Sequence, residues 1–480
     1  MVLGDGQRAS LVVLVWGLLG VLSGAGAAEP GARANPGPVA PAPHAPWRDP
    51  NPPFAVPTPQ PEAPIASARA LTLAELTDLA LRNNPRTRAA WAQARADLAA
   101  VGVEQAAGLP QLAFLFSATR QQQIAAQSGA VIPIQNRYGP TVTLSYLLYD
   151  FGRLAAAEDA ARLRLLAANL TQNRTLQEVV FQVEQAYFRL IGLEQLVKAN
   201  EQSSKNAETT LDATRRRHEG GLATIGDVSR AETAVGQARL ALRRNEGEVS
   251  KARGQLAAVC GVPVNATFTL QPWDERVPQQ EVKQSVDALL TQAKSSRQDL
   301  VAAEARVRSS YATLEATRRE RMPVIELTSN YGRTFFTDSR PSAEAYGIGL
   351  NVRIPLFDGY RNSYSVARAE ALAEQAAAIR DQLFSQTEVE VWQSYFDLQT
   401  AATAIESTTT LVKGATLTAD VAASRYASGV GNLLDLLTAQ ADETNAQVQL
   451  IQSKLDWHTA LARLHLAVGA ANLIPAEGAK

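Results

Sequence analysis

The chain is poor in the residues that carry out chemistry. Its 480 residues include one cysteine, Cys260, and four histidines. One cysteine excludes an internal disulfide and a thiolate zinc site, and Cys260 reads as a small apolar residue near a helix end. His44 and His218 stand alone, while His458 and His465, seven apart on one expected helix, suit packing or solvent better than metal ligation. Zincin, P-loop, dinucleotide-binding and nucleophile-elbow patterns are all missing, and the G-I-G-L-N run at Gly347 lies inside an expected strand. No catalytic residue, metal or cofactor is expected. An excess of one charge is also lacking. The formal net charge of −1 gives no case for nucleic-acid binding.

Long apolar runs are missing after residue 28. The early run from Leu11 to Leu22 follows Arg8 and gives way to small residues through Ala28. That is a signal-peptide pattern over residues 1–28, cut after Ala27 or Ala28. The run is too short and too early for a spanning helix, and no cysteine follows it to accept a lipid. Any membrane segment must therefore be made of strands. Proline is absent between Pro140 and Pro263 and between Pro355 and Pro475, yet thirteen of the 24 prolines fall within residues 29–65. Proline removes an amide donor and disfavours helix at the residue before it, so that segment reads as an extended, semi-rigid linker.

What is present is a duplication. Y-G-P-T-V-T-L-S-Y-L-L-Y-D-F-G-R starts at Tyr138, and Y-G-I-G-L-N-V-R-I-P-L-F-D-G-Y-R starts at Tyr346, an offset of 208. The same offset pairs Asp150 with Asp358, Tyr187 with Tyr395, Gly221 with Gly429, Asp227 with Asp435 and Gly261 with Gly469. Upstream, Pro110 and Pro323 are 213 apart, so five extra residues lie in the first strand-to-strand loop, where length is tolerated. The repeats are residues 66–265 and 266–474, followed by a tail at 475–480.

Each repeat reads as helix, strand pair, long helix, tight turn and helix. Leu176, Val180, Val183, Tyr187 and Leu190 step by three and four, a seam facing a partner. Long helices are expected at about 153–218 and 361–427, with returning helices at about 227–259 and 434–468. A rod of the first length spans on the order of 100 Å at ~1.5 Å per residue, so it must pack along similar rods. Strands are expected at about 111–119, 138–149, 323–332 and 345–355. Tyr346, Ile348, Leu350 and Val352 alternate with Gly347, Gly349 and Asn351, giving one apolar and one polar face at close to membrane-spanning length. The polar loops at about 119–137 and 333–344 are expected outside the cell. Four strands cannot close a membrane barrel, because bacterial examples start at eight, and an open edge in lipid leaves backbone groups unpaired. Membrane strands here imply oligomerisation.

The helix turns read R-R-H-E-G-G-L-A-T-I-G-D-V from Arg216 and S-R-Y-A-S-G-V-G-N-L-L-D-L-L from Ser424. Glycine ends a helix cheaply, and an aspartate in the next first turn suits the helix dipole. On physics alone, capping accounts for these residues.

Over residues 70 to 470 the sequence resembles the TolC family of outer-membrane efflux proteins, most specifically in these turns and in the strand end L-[FY]-D-x-G-x-R. The resemblance implies a mainly α protomer with a share of a membrane β-barrel, internally duplicated, with four barrel strands and long coiled-coil-like helices. Barrel and helical tunnel are then completed by trimerisation. It implies an outer-membrane export duct reaching into the periplasm of a Gram-negative bacterium, and no enzyme. The implied partners are two further copies, outer-membrane lipid, a periplasmic adaptor (membrane fusion) protein and an inner-membrane resistance-nodulation-division (RND) or ABC transporter. By position, Asp227 and Tyr426 match a latch between neighbouring helix pairs and Asp435 an entrance ring. Gly220, Gly221, Leu222, Gly429, Gly431 and Leu434 match the adaptor-docking tips. Gly431 stands where the family latch has an arginine, and Thr438 where it has a second ring aspartate, so closure and cation affinity are expected to differ. The alternative is a trimeric coiled-coil surface stalk or adhesin without a pore, which explains the helices but not the repeated alternating strands.

Overall fold

The computed structural model describes residues 70–124, 131–271, 285–337 and 340–470. The expected signal peptide, proline-rich linker and tail lie outside the described residues. Two short helices, α1 (Leu73–Asn83) and α2 (Pro85–Ala106), precede the hairpin β1 (Gln111–Ile124) and β2 (Val131–Tyr149). Helix α3 (Arg153–Glu219, 67 residues) and α4 (Ile225–Val259) complete the first repeat. The second runs α5 (Val286–Ser296), α6 (Gln298–Arg319), β3 (Val324–Phe336), β4 (Ala343–Arg353), α7 (Arg361–Ala427, 67 residues) and α8 (Leu433–Val468). Among the described residues no helix is long and apolar enough to cross a membrane.

The strands form one antiparallel sheet in the order β1-β2-β3-β4. Its register aligns the two faces that the sequence alternates. Phe114 lies opposite Val142, Val142 opposite Tyr331, and Tyr331 opposite Tyr346, one apolar row across all four strands. The adjacent row of Ala113, Thr143, Asn330 and Gly347 points to the other face. On the apolar face Tyr346 and Ile348 are 85% and 77% exposed.

The strands run further than hydropathy suggests. The loop expected at 119–137 is largely ladder, since β1 reaches Ile124 and β2 begins at Val131. Likewise β3 reaches Phe336, and β4 spans Ala343–Arg353 rather than 345–355. A backbone ladder needs only a partner strand. Its polar outer part is tied by side chains such as Arg137, which donates to Thr119 and Gln121 at 3.2 and 2.9 Å.

The motif at each strand-to-helix junction has a local cause. Asp150 is buried, and its carboxylate accepts from Gly152 N and Leu154 N at 3.1 and 2.7 Å. Asp358 accepts from Asn362 N at 2.9 Å. These bonds satisfy orphan amides of the first helical turn, after two residues at positive φ (Phe151 and Gly152, then Gly359 and Tyr360).

The single helix expected before each strand pair is broken in two. Asn84 precedes Pro85 and is driven out of the α region, with φ −65 and ψ 127. Its side chain caps α2 through Arg86 N and donates to Val259 O, both at 2.9 Å. In the second repeat the break falls at Arg297, which no proline follows. Its guanidinium is buried against Asp299 (2.5 Å) and Glu390 (2.6 Å) and donates to Ala467 O at 3.4 Å. Val259 and Ala467 are 208 residues apart. The same helix end is thus closed by an amide in one repeat and by an ion-paired arginine in the other. Burial alone would lower the Arg297 pKa, but its bonds to Asp299 and Glu390 outweigh burial and raise it.

Candidate entrance site at the helix turns

Both turns stop a 67-residue helix with the same device. Gly221 (φ 73) and Gly429 (φ 84) adopt a left-handed conformation that side chains disfavour. Gly221 N donates to His218 O and Leu222 N to Arg217 O, at 2.9 and 2.7 Å. Gly429 N donates to Tyr426 O and Val430 N to Arg425 O, at 3.1 and 3.0 Å. Each pair of bonds is a Schellman closure.

The returning helices start on paired caps. The Thr224 hydroxyl accepts from Asp227 N at 3.2 Å, and the Asp227 carboxylate accepts from Thr224 N at 3.0 Å and Oγ1 at 2.8 Å. Those bonds, first from the Thr224 backbone and then from its hydroxyl, hold the Asp227 carboxyl below the usual carboxylate range, with Arg230 adding a smaller pull. Asn432 does the same work at the second turn, accepting from Asp435 N at 2.7 Å and donating to its carboxylate at 2.9 Å. Asp227 and Asp435 are therefore both helix-capping residues at the third position of their helices, and Asp435 is exposed.

Tyr426 faces inward. It is buried among Leu211, Val228, Ala231, Leu433 and Leu436, a small core that joins the two helical hairpins at their tips. Its hydroxyl lies 2.9 Å from Thr214 Oγ1. The Thr214 proton already goes to Thr210 O at 2.8 Å, so Tyr426 donates. Arg217 stacks over the Tyr426 ring at 4.6 Å and donates to its backbone carbonyl. Within the protomer Tyr426 and Asp227 do not pair, because each is held elsewhere, one in the core and the other in its own cap. Thr214 and Arg217 are the residues that sequence reasoning missed. Their partner is more than 200 positions away, and the one available signal was that Arg217 and Arg425 are 208 apart.

Gly431 has a local reason too. A Cβ there would lie 3.0 Å from Arg425 C and Tyr426 N, while Gly431 N donates to Arg425 O at 2.9 Å. A side chain at 431 would need these backbone neighbours to give by a few tenths of an ångström, and Arg217 brings a guanidinium beside Gly429 from the other hairpin. At the very tips, Leu222 (76% exposed), Val430 and Leu434 present apolar side chains to solvent.

The profile of the outer membrane efflux protein family matches residues 76–262 and 289–470, which covers both repeats. The chain belongs to this family. It is 29% identical to Protein CyaE of Bordetella pertussis over 405 residues, 83% of this chain and 84% of that one. Identity to the outer membrane protein OprJ of Pseudomonas aeruginosa is 26% over 403 residues, with the same coverage. Among solved structures it superposes on the outer-membrane channel OprN with a TM-score of 0.75 at 21% identity, covering 83% of this chain and 89% of that one. The outer membrane protein VceC of Vibrio cholerae gives 0.73 at 23%, covering 83% and 96%. The protein is an outer-membrane channel of the efflux and secretion class.

Proposed function

We propose that three copies of the chain form one export duct between an inner-membrane pump and the cell exterior. The open sheet carries this reading. Its apolar face is exposed, and β1 and β4 are its edges. In lipid those edges need partners, and three such sheets give a closed barrel well above the minimum of eight strands. The helices α3, α4, α7 and α8 continue from the barrel as a periplasmic tube. A periplasmic adaptor docks over Leu222, Leu434 and the glycine turns, and an RND or ABC transporter supplies the energy. The cargo is small molecules or a secreted protein, chosen by that pump. Native mass measurement in mild detergent gives three chains per particle on this reading, and a stable monomer with full β content in membranes rejects it.

The turns set the resting entrance. Tyr426 ties α7 to α3, Asp227 fixes the start of α4, and Asp435 from three copies places carboxylates around the narrowest point, where they attract cations. In planar bilayers, Tyr426→Phe with Asp227→Ala raises single-channel conductance, whereas Asp435→Ala lowers cation selectivity without raising conductance. If the double variant conducts like the wild type and Asp435→Ala keeps its selectivity, Asp227 and Asp435 only cap helices and Tyr426 only packs the tip core.

A further inference from the structure

The duplication also predicts how one copy meets the next, residue by residue. Within the chain, α3 packs antiparallel on α8. Phe188 stacks on His458 at 4.4 Å, Thr444 donates to Ser203 at 3.2 Å, and Leu455 fills the hollow over Gly192, where a Cβ would sit 2.7 Å from Leu455 Cγ. Adding 208 to the α3 residues gives α7, and subtracting 208 from the α8 residues gives α4. The two faces so obtained are bare. Gly192 is buried and Phe188 and Ser203 are half-buried, while their equivalents Phe396, Thr400 and Leu411 are exposed. His458, Leu455 and Thr444 are half-buried, while Ser250, Gly247 and Gly236 are exposed. A Cβ on Gly247 or Gly236 would meet nothing within 4 Å.

The bare faces are complementary. Leu455 and Gly192 become Gly247 and Thr400, so the hollow and the group that fills it change sides. The Ser203–Thr444 contact becomes Leu411 over Gly236, a large apolar side chain above an empty position. Lys198 and Ile451, which line one hollow between α3 and α8, become Glu406 and Arg243, an acid facing a base. Trp392 extends the apolar stripe on α7 and is 51% exposed.

We propose that α7 of one copy seats on α4 of the next in this register, with Phe396 on Ser250, Thr400 on Gly247, Glu406 beside Arg243 and Leu411 on Gly236. The occupant of each face is a second copy of this chain, and the inference rests on the trimeric reading above. The seam between chains is then built from side chains seated on glycines and from opposite charges. The seam within a chain has one such seat, Leu455 on Gly192, beside hydroxyl and aromatic contacts.

The test uses the full-length protein in membranes with Cys260→Ser. A Cβ on Gly192 would lie 2.7 Å from Leu455 Cγ, so the equivalent positions on two copies in this register come within reach of a disulfide, which needs Cβ atoms about 3.5–4.5 Å apart. Thr400→Cys with Gly247→Cys therefore forms covalent dimers and trimers on mild oxidation, and Thr400→Cys with Gly254→Cys, two helical turns away, does not. Trimeric native mass with a link only in the shifted pair overturns the register and leaves the trimer standing, whereas a monomeric native mass overturns both. A second readout keeps its meaning if the cysteine variants fold poorly. Gly236→Leu improves helix propensity, so on a free face it raises the trimer's melting temperature. On the proposed seam it lowers that temperature, and adding Leu411→Ala restores it. A rise with Gly236→Leu, together with no link in either cysteine pair, sinks the proposal.

Discussion

His458 stacks on Phe188 with ring planes 19° apart, against the α3–α8 seam. Burial, with a smaller push from Lys454, lowers its pKa from 6.5 to about 4. An unfolded chain binds this proton near the ordinary value, while the folded chain resists it. Below pH 6.5 the unfolded state therefore holds more protons, and stability falls with pH. The contribution of neutral His458 is complete above pH 6.5 and is lost as pH falls towards 4, with a slope of at most ~1.4 kcal/mol per unit and chain. His458→Phe keeps the stack and removes the proton. Urea midpoints should then fall less for the variant than for the wild type between pH 6.5 and 4.5, and parallel curves would mean that the ring is open to solvent. His465 is lowered by burial as well and is common to both proteins. At this scale the sequence was legible for caps and poorly legible for partners. Asp227 and Asp435 lie three residues after their capping partners, so a short window contains the whole interaction. Tyr426 owes its position to Thr214 and Arg217 on another helix, which no short window contains.

Among the elements, the helix breaks at Asn84 and Arg297 show one problem solved twice. The last carbonyls of α4 and α8 need donors. Asn84 supplies one with a neutral amide, and its loss costs about 1 kcal/mol, the usual value of a cap. Arg297 supplies one with a charge that is itself buried between Asp299 and Glu390. Removing one member of such a group leaves the others uncompensated, at about 3–5 kcal/mol in a buried setting. Asp299 also has Arg174 at 3.7 Å, and Glu390 is partly exposed, which places the cost at the low end. Arg297→Ala should therefore lower the thermal midpoint two- to threefold more than Asn84→Ala. Equal shifts would show that the ion pairs add nothing beyond the cap. The break at Asn84 was written in the following proline, although the expectation of one continuous helix passed over it. The break at Arg297 has no such mark, because its cause is a group of charges from α6 and α7.

For the whole molecule, orientation across the membrane can be tested at β4. Glu344 is exposed in the second turn-proximal pair of the β3–β4 ladder, at the end expected outside the cell. Cys260 is buried, with its thiol pushed up to about 12, so it supplies almost no thiolate near pH 7. An impermeant maleimide should leave intact wild-type cells unlabelled and label Glu344→Cys. Labelling of that variant only after the envelope is broken would invert the orientation.

The sequence by itself determined the fold class. Alternation at period two and stepping by three and four are local signals, repeated at an offset of 208, and they specified the paired strands, the long helices and the glycine turns twice over. Family membership follows from the same turns and strand ends. Tertiary structure decided what spacing cannot encode. It set the full reach of the strands, because a ladder continues wherever a partner strand runs. It turned Tyr426 into the core, because its contacts with Thr214 and Arg217 join helices more than 200 residues apart. It also left the α7 and α4 faces bare while covering their repeat equivalents, because a chain with two halves can bury only one of its two seams against itself.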